Sequence, residues 1–256
     1  MSDLQLIKPR GLPKERDFVW KYIDIHKFLS FIWQKRIRFT RMDQFEDPLE
    51  GIPYETLNKY TSSKTGNFLL ADFIAKPGRY FMENEVKIKH RLSRVFDIQT
   101  SHYISCWFIA QRESVAMWNL YSNEDGVALK IPFGKLKSFL NLDTQDIDSY
   151  YCGKVEYQNF RDTDPYSENS VKKLSKVSLR KDISFAHEKE LRFVVKKKLE
   201  KSTTGIDSHI IDLANLDFEV ISHPKMSEWK RNNLKFALKE LRLQSTFSES
   251  EIKLRY

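Results

Sequence analysis

The chain has 256 residues, a formal charge of +8 from 43 Lys and Arg against 35 Asp and Glu, and 18 Phe, 11 Tyr and 5 Trp. So much aromatic surface excludes a disordered chain, and only 8 Gly and 8 Pro exclude collagen-like or linker sequence. No two glycines lie closer than eight residues apart, whereas dinucleotide and phosphate-binding loops need them within six, so Rossmann dehydrogenases, Walker-type NTPases and ordinary protein kinases are excluded.

Residues 1–17, with Pro9, Gly11 and Pro13, read as an irregular lead-in to a single α+β domain over 18–256. Phe18 to Tyr22 reads as a strand, and Asp24 as the N-cap of a helix over 27–35 with Phe28, Leu29, Phe31, Ile32 and Trp33 on one face. Arg36 to Arg41 alternates polar and apolar, a strand with its arginines on one side, and Phe45 to Gly51 forms a turn. Residues 54–98 read as helical, broken near Pro77-Gly78, with an exposed helix from Glu83 to Phe96. Tyr103 to Ile109 is apolar enough for a central strand, and Ser114 to Tyr121 is a helix. A strand from Val127 to Phe133, a helix from Gly134 to Leu140 and a strand from Cys152 to Tyr157 follow. The basic stretch 170–181 reads as a helix. Strands are expected at Glu190–Val195, His209–Leu213 and Phe218–Ile221, and a helix at Met226–Leu241. Without strict βα alternation the class is α+β, a mixed, largely antiparallel central sheet with flanking helices.

Two cysteines, Cys106 and Cys152, in a chain this long are expected to be reduced, and no CxxC or His/Cys spacing suggests zinc. The N-terminus lacks the apolar run of a signal peptide, and the longest apolar stretch, Phe68–Ala75, is too short to span a membrane. These features predict a cytoplasmic chain with no membrane partner. The lysine and arginine clusters at 172–181, 196–198 and 230–242 suit either phosphate contacts with a nucleic acid or solvated faces.

Three stretches concentrate functional side chains. They are Lys21-Tyr22 with Arg38, Asp47 and Glu50; Ser105 to Phe108 with Trp118 and Tyr121; and Glu188, Glu190 and Arg192. Glu188 and Glu190, two apart, point the same way on an extended chain, and adjacent carboxylates push their protonation states apart. Trp118 and Tyr121 share a helical face and either stack on a ring or belong to the core. Lys21 between Trp20 and Tyr22 needs an anionic partner if buried. His187-Glu188 has Leu191 where a zinc protease needs a second His. Asp47, Glu50, Glu188 and Glu190 form an acidic set compatible with magnesium in a nuclease.

Lys21-Tyr22, Phe45-x-Asp47-Pro48-x-Glu50, Ser105 to Phe108, Met117-Trp118-x-x-Tyr121 with Gly126-Val127-Ala128, and Glu188-x-Glu190-x-Arg192 together resemble a bacterial family known as domain of unknown function 2971. The resemblance spans roughly residues 18–255, with Glu46 where that family usually has Asn. It implies a setting among abortive-infection and phage-defence genes, and a partner protein of a defence system. The layout is more loosely similar to that of NAD-dependent ADP-ribosyltransferases, with Lys21 where they place His or Arg. That similarity implies Glu190 as the catalytic carboxylate with Glu188 assisting at the acceptor, and no bound metal. Lys21, Tyr22, Arg38, Ser105, Trp118 and Tyr121 would hold NAD as substrate, and Asp47, Glu50 and Arg192 form a further candidate group. The acceptor would be a nucleic acid or a protein. Two alternatives stay open, a magnesium-dependent nuclease and a non-catalytic basic binding module.

Overall fold

Apolar runs with period two, and those apolar on both faces, set the strands. The computed structural model describes residues 5–6, 11–47, 49–52, 86–142, 147–160, 176–197, 203–243 and 245–253. In chain order these form β1 (Gln5–Leu6), β2 (Phe18–Ile23), α1 (Ile25–Gln34), β3 (Arg36–Arg41), α2 (Val86–Ser101), β4 (His102–Ile109), α3 (Val115–Tyr121) and β5 (Val127–Pro132). There follow α4 (Phe133–Phe139), β6 (Leu140–Asn141), β7 (Ile147–Lys154), β8 (Glu156–Gln158), β9 (Arg180–Asp182), β10 (Glu190–Lys197) and β11 (Gly205–Ile210). The last elements are β12 (Phe218–Ser222), α5 (Glu228–Glu240) and β13 (Ser245–Glu249). Among the described residues, eleven strands join one sheet along the path β1-β7-β10-β4-β2-β5-β12-β13, with β3 on β4, β11 on β3 and β6 on β11. All of its pairs are antiparallel except β1–β7 and β12–β13. The class is therefore α+β with a mixed, mostly antiparallel sheet. No helix of the described residues is long and apolar enough to cross a membrane.

The sheet forks at β4. On one edge β4 pairs continuously with β10, from Glu190↔Phe108 to Lys196↔His102. Its other edge is shared: β2 takes Ile109 and Phe108, and β3 takes Ile104 and Tyr103. Ser105, Cys106 and Trp107 lie between the two. The connection that holds the prongs apart is α1, whose Asp24 cap accepts from the Lys27 N–H at 2.9 Å. Phe28, Phe31 and Ile32 bury its inner face in the main core, with Phe39, Trp107, Leu191 and Phe193. Alternation along β2 sends Val19 and Ile23 to that core and Trp20 and Tyr22 to a second cluster with Phe108, Met117 and Trp118.

Several expectations change. Trp33 stands 59% exposed, outside the buried face of α1. Arg36 and Arg38 share one side of β3, but Arg41 falls on the other and binds Asp43 at 2.7 Å. The strand expected at 152–157 divides at Val155, whose N–H donates to the Glu190 carbonyl, so β7 and β8 belong to different sheets. The described part of the basic stretch is not α-helix: Val177–Leu179 is a 3-10 turn and Arg180–Asp182 is β9, pairing with β8. The strand expected at 209–213 is β11, Gly205–Ile210, because its partner β3 ends the ladder opposite His209. In the lead-in, Gln5–Leu6 pairs with β7. The helical material and Pro77-Gly78 break between 54 and 85 lie outside the described residues.

Candidate functional site

β10 begins directly after a sharp local twist. Ile183–Glu188 is a 3-10 helix ended by Lys189 in the left-handed conformation, φ 41°. This reversal, rather than simple strand alternation, brings Glu188 and Glu190 together: Lys181 Nζ donates to Glu188 at 2.5 Å and Glu190 at 3.1 Å. Lys181 comes from β9 and is nearly fully buried. The sequence puts it in a basic cluster suited either to phosphate contacts or to a solvated face; the pairing of β9 with β8 turns it inward instead.

Arg192 follows on the same face of β10, opposite Cys106 on β4 and Gly153 on β7, where the missing side chain leaves room. Its Nε donates to Glu190 at 2.7 Å, and Nη1 and Nη2 clasp Glu50 at 2.8 and 2.6 Å. Nη1 also reaches the Ser178 carbonyl and Nη2 the second oxygen of Glu190. All five guanidinium donors are satisfied without exposure to solvent. Glu50 and Arg192 are thus the buried support of the pair rather than groups presented to a ligand. Asp47 is buried beside them and accepts from the Leu49 N–H at 2.9 Å, with burial pushing its carboxyl up.

The two glutamates are driven in opposite directions. Burial alone would raise both. At Glu190 the Arg192 guanidinium, the hydrogen bond with Glu188 and the Lys181 ammonium outweigh burial and hold the carboxyl well below its usual range. At Glu188, burial and the neighbouring Glu190 win over Lys181 and Tyr121, raising it from 4.5 to about 7. Tyr121 donates its hydroxyl to Glu188 at 2.5 Å and stands 43% exposed at the mouth. Burial, then Glu188, push its hydroxyl far up, so it stays a donor.

Tyr121, Lys181, Glu188 and Glu190 line a cavity of about 250 Å³ at the fork, walled by Trp20, Phe45, Phe108 and Met117. Lys21 enters it from β2. Its Nζ donates to the Cys106 carbonyl at 2.9 Å and Ser105 Oγ at 3.3 Å, covering an acceptor of the unpaired β4 edge. The ammonium lies 5.1 Å from the Trp107 ring centre, and burial lowers it from 10.5 to about 8. The anionic partner expected for Lys21 is a carbonyl and a hydroxyl instead. Ser105 is buried and also accepts from Trp107 Nε1. Cys106 lines the cavity with its thiol pushed up by burial and Glu190. Both cysteines are free.

Arg38 reaches the cavity from β3 and also lines an adjoining one of about 370 Å³ with Lys27, Arg36 and His26. Lys21, Ile23, Lys27 and Arg38 are common to both, which makes them one cleft with an acidic and a basic end. Beside Arg38, Gly205 pairs opposite Thr40, and a Cβ there would stand 2.6 Å from the Phe39 carbonyl oxygen, so this strand position needs glycine. Arg36 and Arg38 share a single acid, Asp207, at 3.7 and 3.4 Å.

Two predicted cleft residues do not offer their rings. Trp118 is completely buried, edge-on to Tyr22 and His223, with Nε1 donating to Glu113 at 2.9 Å; it is core, not cleft wall. Tyr22 borders the cavity, but its hydroxyl accepts from the Ser114 N–H at 3.0 Å and its ring packs in the second cluster. Phe45, Cys106, Lys27 and Lys181 are cleft residues that sequence reasoning did not assign to the site.

Fold and site define an α+β protein with a forked sheet and an ionised carboxylate beside a protonatable one in a half-closed cleft. The family described as protein of unknown function (DUF2971) matches residues 117–193, from α3 into β10, and this chain resembles it there. That stretch holds Tyr121, Lys181, Glu188, Glu190 and Arg192, while Lys21, Arg38 and Glu50 lie outside it. No curated protein and no solved structure matches the chain.

Proposed function

We propose that the cleft cleaves an N-glycosidic bond of a nucleotide, with NAD as substrate, and transfers ADP-ribose to an acceptor. One observation carries this reading: two carboxylates share one cavity, one held ionised and the other poised near neutral pH. An oxocarbenium-like transition state calls for that division of labour, a fixed negative charge beside C1′ and a proton acceptor for the incoming group. The nicotinamide–ribose bond breaks with its electron pair going to the ring nitrogen, and nicotinamide leaves neutral. Glu190 stabilises the positive charge on the ribose. The acceptor oxygen or nitrogen then bonds to C1′ and gives its proton to Glu188. The aromatic walls suit the nicotinamide ring, and Lys27, Arg36 and Arg38 suit the pyrophosphate. Lys21 sits between the two ends. No glycine-rich loop is needed.

The chain would act as an effector of a bacterial anti-phage defence or toxin system, on the strength of the family resemblance. The magnesium-dependent nuclease has less support, because Glu50, Glu188 and Glu190 are each bonded to Lys181 or Arg192. Among the described residues no group of three His, Cys, Asp or Glu side chains is arranged around a metal position.

The test is nicotinamide release from NAD by the full chain in EDTA. Release that falls by two or more orders of magnitude in Glu190→Gln, assayed well below the melting temperature of that variant, is the expected result. No release from the parent protein, with or without acceptor, refutes the proposal. Release that appears only with added magnesium points to the nuclease-like acidic site instead.

A further inference from the structure

A second cavity lies on the other side of the segment that carries the glutamates. It is an open groove of about 910 Å³ whose lining includes Arg16, Phe18, Arg112 and Lys189 together with the acids Asp17 and Glu113. The turn from the 3-10 helix through left-handed Lys189 into β10 sorts the charges: Glu188 and Glu190 line the cleft, whereas His187 and Lys189 line the groove. Phe108 is a wall common to both.

The two acids of the lining are hydrogen-bonded to neutral donors rather than to the groove's cations. Asp17 caps the Lys14 N–H at 2.7 Å. The Glu113 carboxylate accepts from Trp118 Nε1, Ser250 Oγ and the Glu251 N–H. Arg16, Arg112 and Lys189 are exposed, and none of them has a carboxylate within salt-bridge distance among the described residues. Phe18 is 43% exposed in the groove, with the Lys130 ammonium 4.5 Å from its ring centre. Three exposed cations without carboxylate partners beside an exposed aromatic ring are what a single strand of nucleic acid recognises: phosphates meet the cations and a base lies on the ring.

We propose that this groove binds single-stranded nucleic acid, the acceptor class of the transfer described above; the acceptor role rests on that reading, while strand binding does not. An acidic protein segment would use the cations but not Phe18, and a duplex would keep its bases stacked away from the ring.

The test is fluorescence anisotropy with a labelled oligodeoxynucleotide of about ten nucleotides, without NAD, across a salt series. Arg16→Glu/Arg112→Glu is expected to weaken binding by at least about tenfold and to flatten the salt dependence by about one to two phosphate contacts. Arg16→Lys/Arg112→Lys keeps the charge and is expected to retain binding. Phe18→Ala is expected to weaken binding with the salt slope unchanged, as lost stacking requires. Melting temperatures of these exposed variants verify that each is folded. Equal binding by parent and charge-reversed protein overturns the groove, as does equal affinity for duplex or for a poly-glutamate peptide. Incubation with NAD labelled on its adenine then separates the two proposals. Nicotinamide release with no label on the oligonucleotide overturns the acceptor role, whereas groove-dependent binding with no nicotinamide release overturns the proposed chemistry and sustains the groove.

Discussion

Replacing Arg192 with Met removes the cation from between two buried carboxylates while keeping an unbranched side chain in the space. Glu50 loses both charged hydrogen bonds, at 2.6 and 2.8 Å, and no exposed edge through which water can compensate it. Glu190 loses its 2.7 Å bond and keeps Lys181 at 3.1 Å. Breaking a buried pair by deleting one partner costs about 3–5 kcal/mol, against about 0–1 for a surface pair. An unfolding entropy of about 2.1 cal/mol/K per residue gives about 0.5 kcal/mol/K for this chain length, so the melting temperature should fall by about 6–9 °C. Glu50→Met/Arg192→Met, which removes the stranded carboxylate as well, should recover part of that loss. Urea unfolding followed by circular dichroism at neutral pH measures both. A loss below about 1 kcal/mol in Arg192→Met would show that the guanidinium is in effect solvated, and would refute the buried network.

Protonation at the pair gives a second prediction. Glu188 ionises near pH 7 when folded and near 4.5 when unfolded, so between these values the folded chain holds a proton that the unfolded chain has lost. Its contribution is present below about pH 4.5 and is lost as the pH rises through about 7; Glu188→Gln should gain stability relative to the parent across that window in paired urea titrations. Glu190 has the opposite sign, contributing above its ordinary 4.5 and losing that contribution as the pH falls through its depressed folded value. Lys21 ionises near 8 folded and 10.5 unfolded, so its contribution makes stability rise with pH between the two, and Lys21→Met should abolish that rise; an unchanged profile would place the ammonium in water. Trp118→Ala should cost about 3–5 kcal/mol by chemical denaturation, as a core cavity does, and a loss under about 1 kcal/mol would return the ring to the cleft wall. Lys35 closes α1 at φ 54°, and Lys35→Gly should raise stability by about 0.5–1 kcal/mol; a fall would mean that the lysine side chain itself caps the helix.

Much of the chain was legible locally. The strands β2, β3, β4 and β10 and the helix α1 were evident from period and capping, because half-burial writes period two and an Asp cap marks a helix start within the chain itself. The pairing of Glu188 with Glu190 was legible as proximity, but its cause was not, since a 3-10 helix and a left-handed Lys189 depend on where β10 must begin. Trp118 shows the limit of helical periodicity: a shared face with Tyr121 does not say which of the two rings meets protein and which meets solvent.

Glycine spacing excluded nucleotide-binding glycine loops, the order of strand and helix patterns determined the α+β class, and local spacing picked out the candidate carboxylates, because these properties depend on residue type and short separations. Only the tertiary structure decided that Lys181 is an inward partner of the glutamates, that Arg192 clasps Glu50 from 142 positions away, and that the cleft opens where β4 divides its edge between β2 and β3. Those outcomes depend on strand register between distant segments, and a one-residue slip would turn each of these side chains to the opposite face.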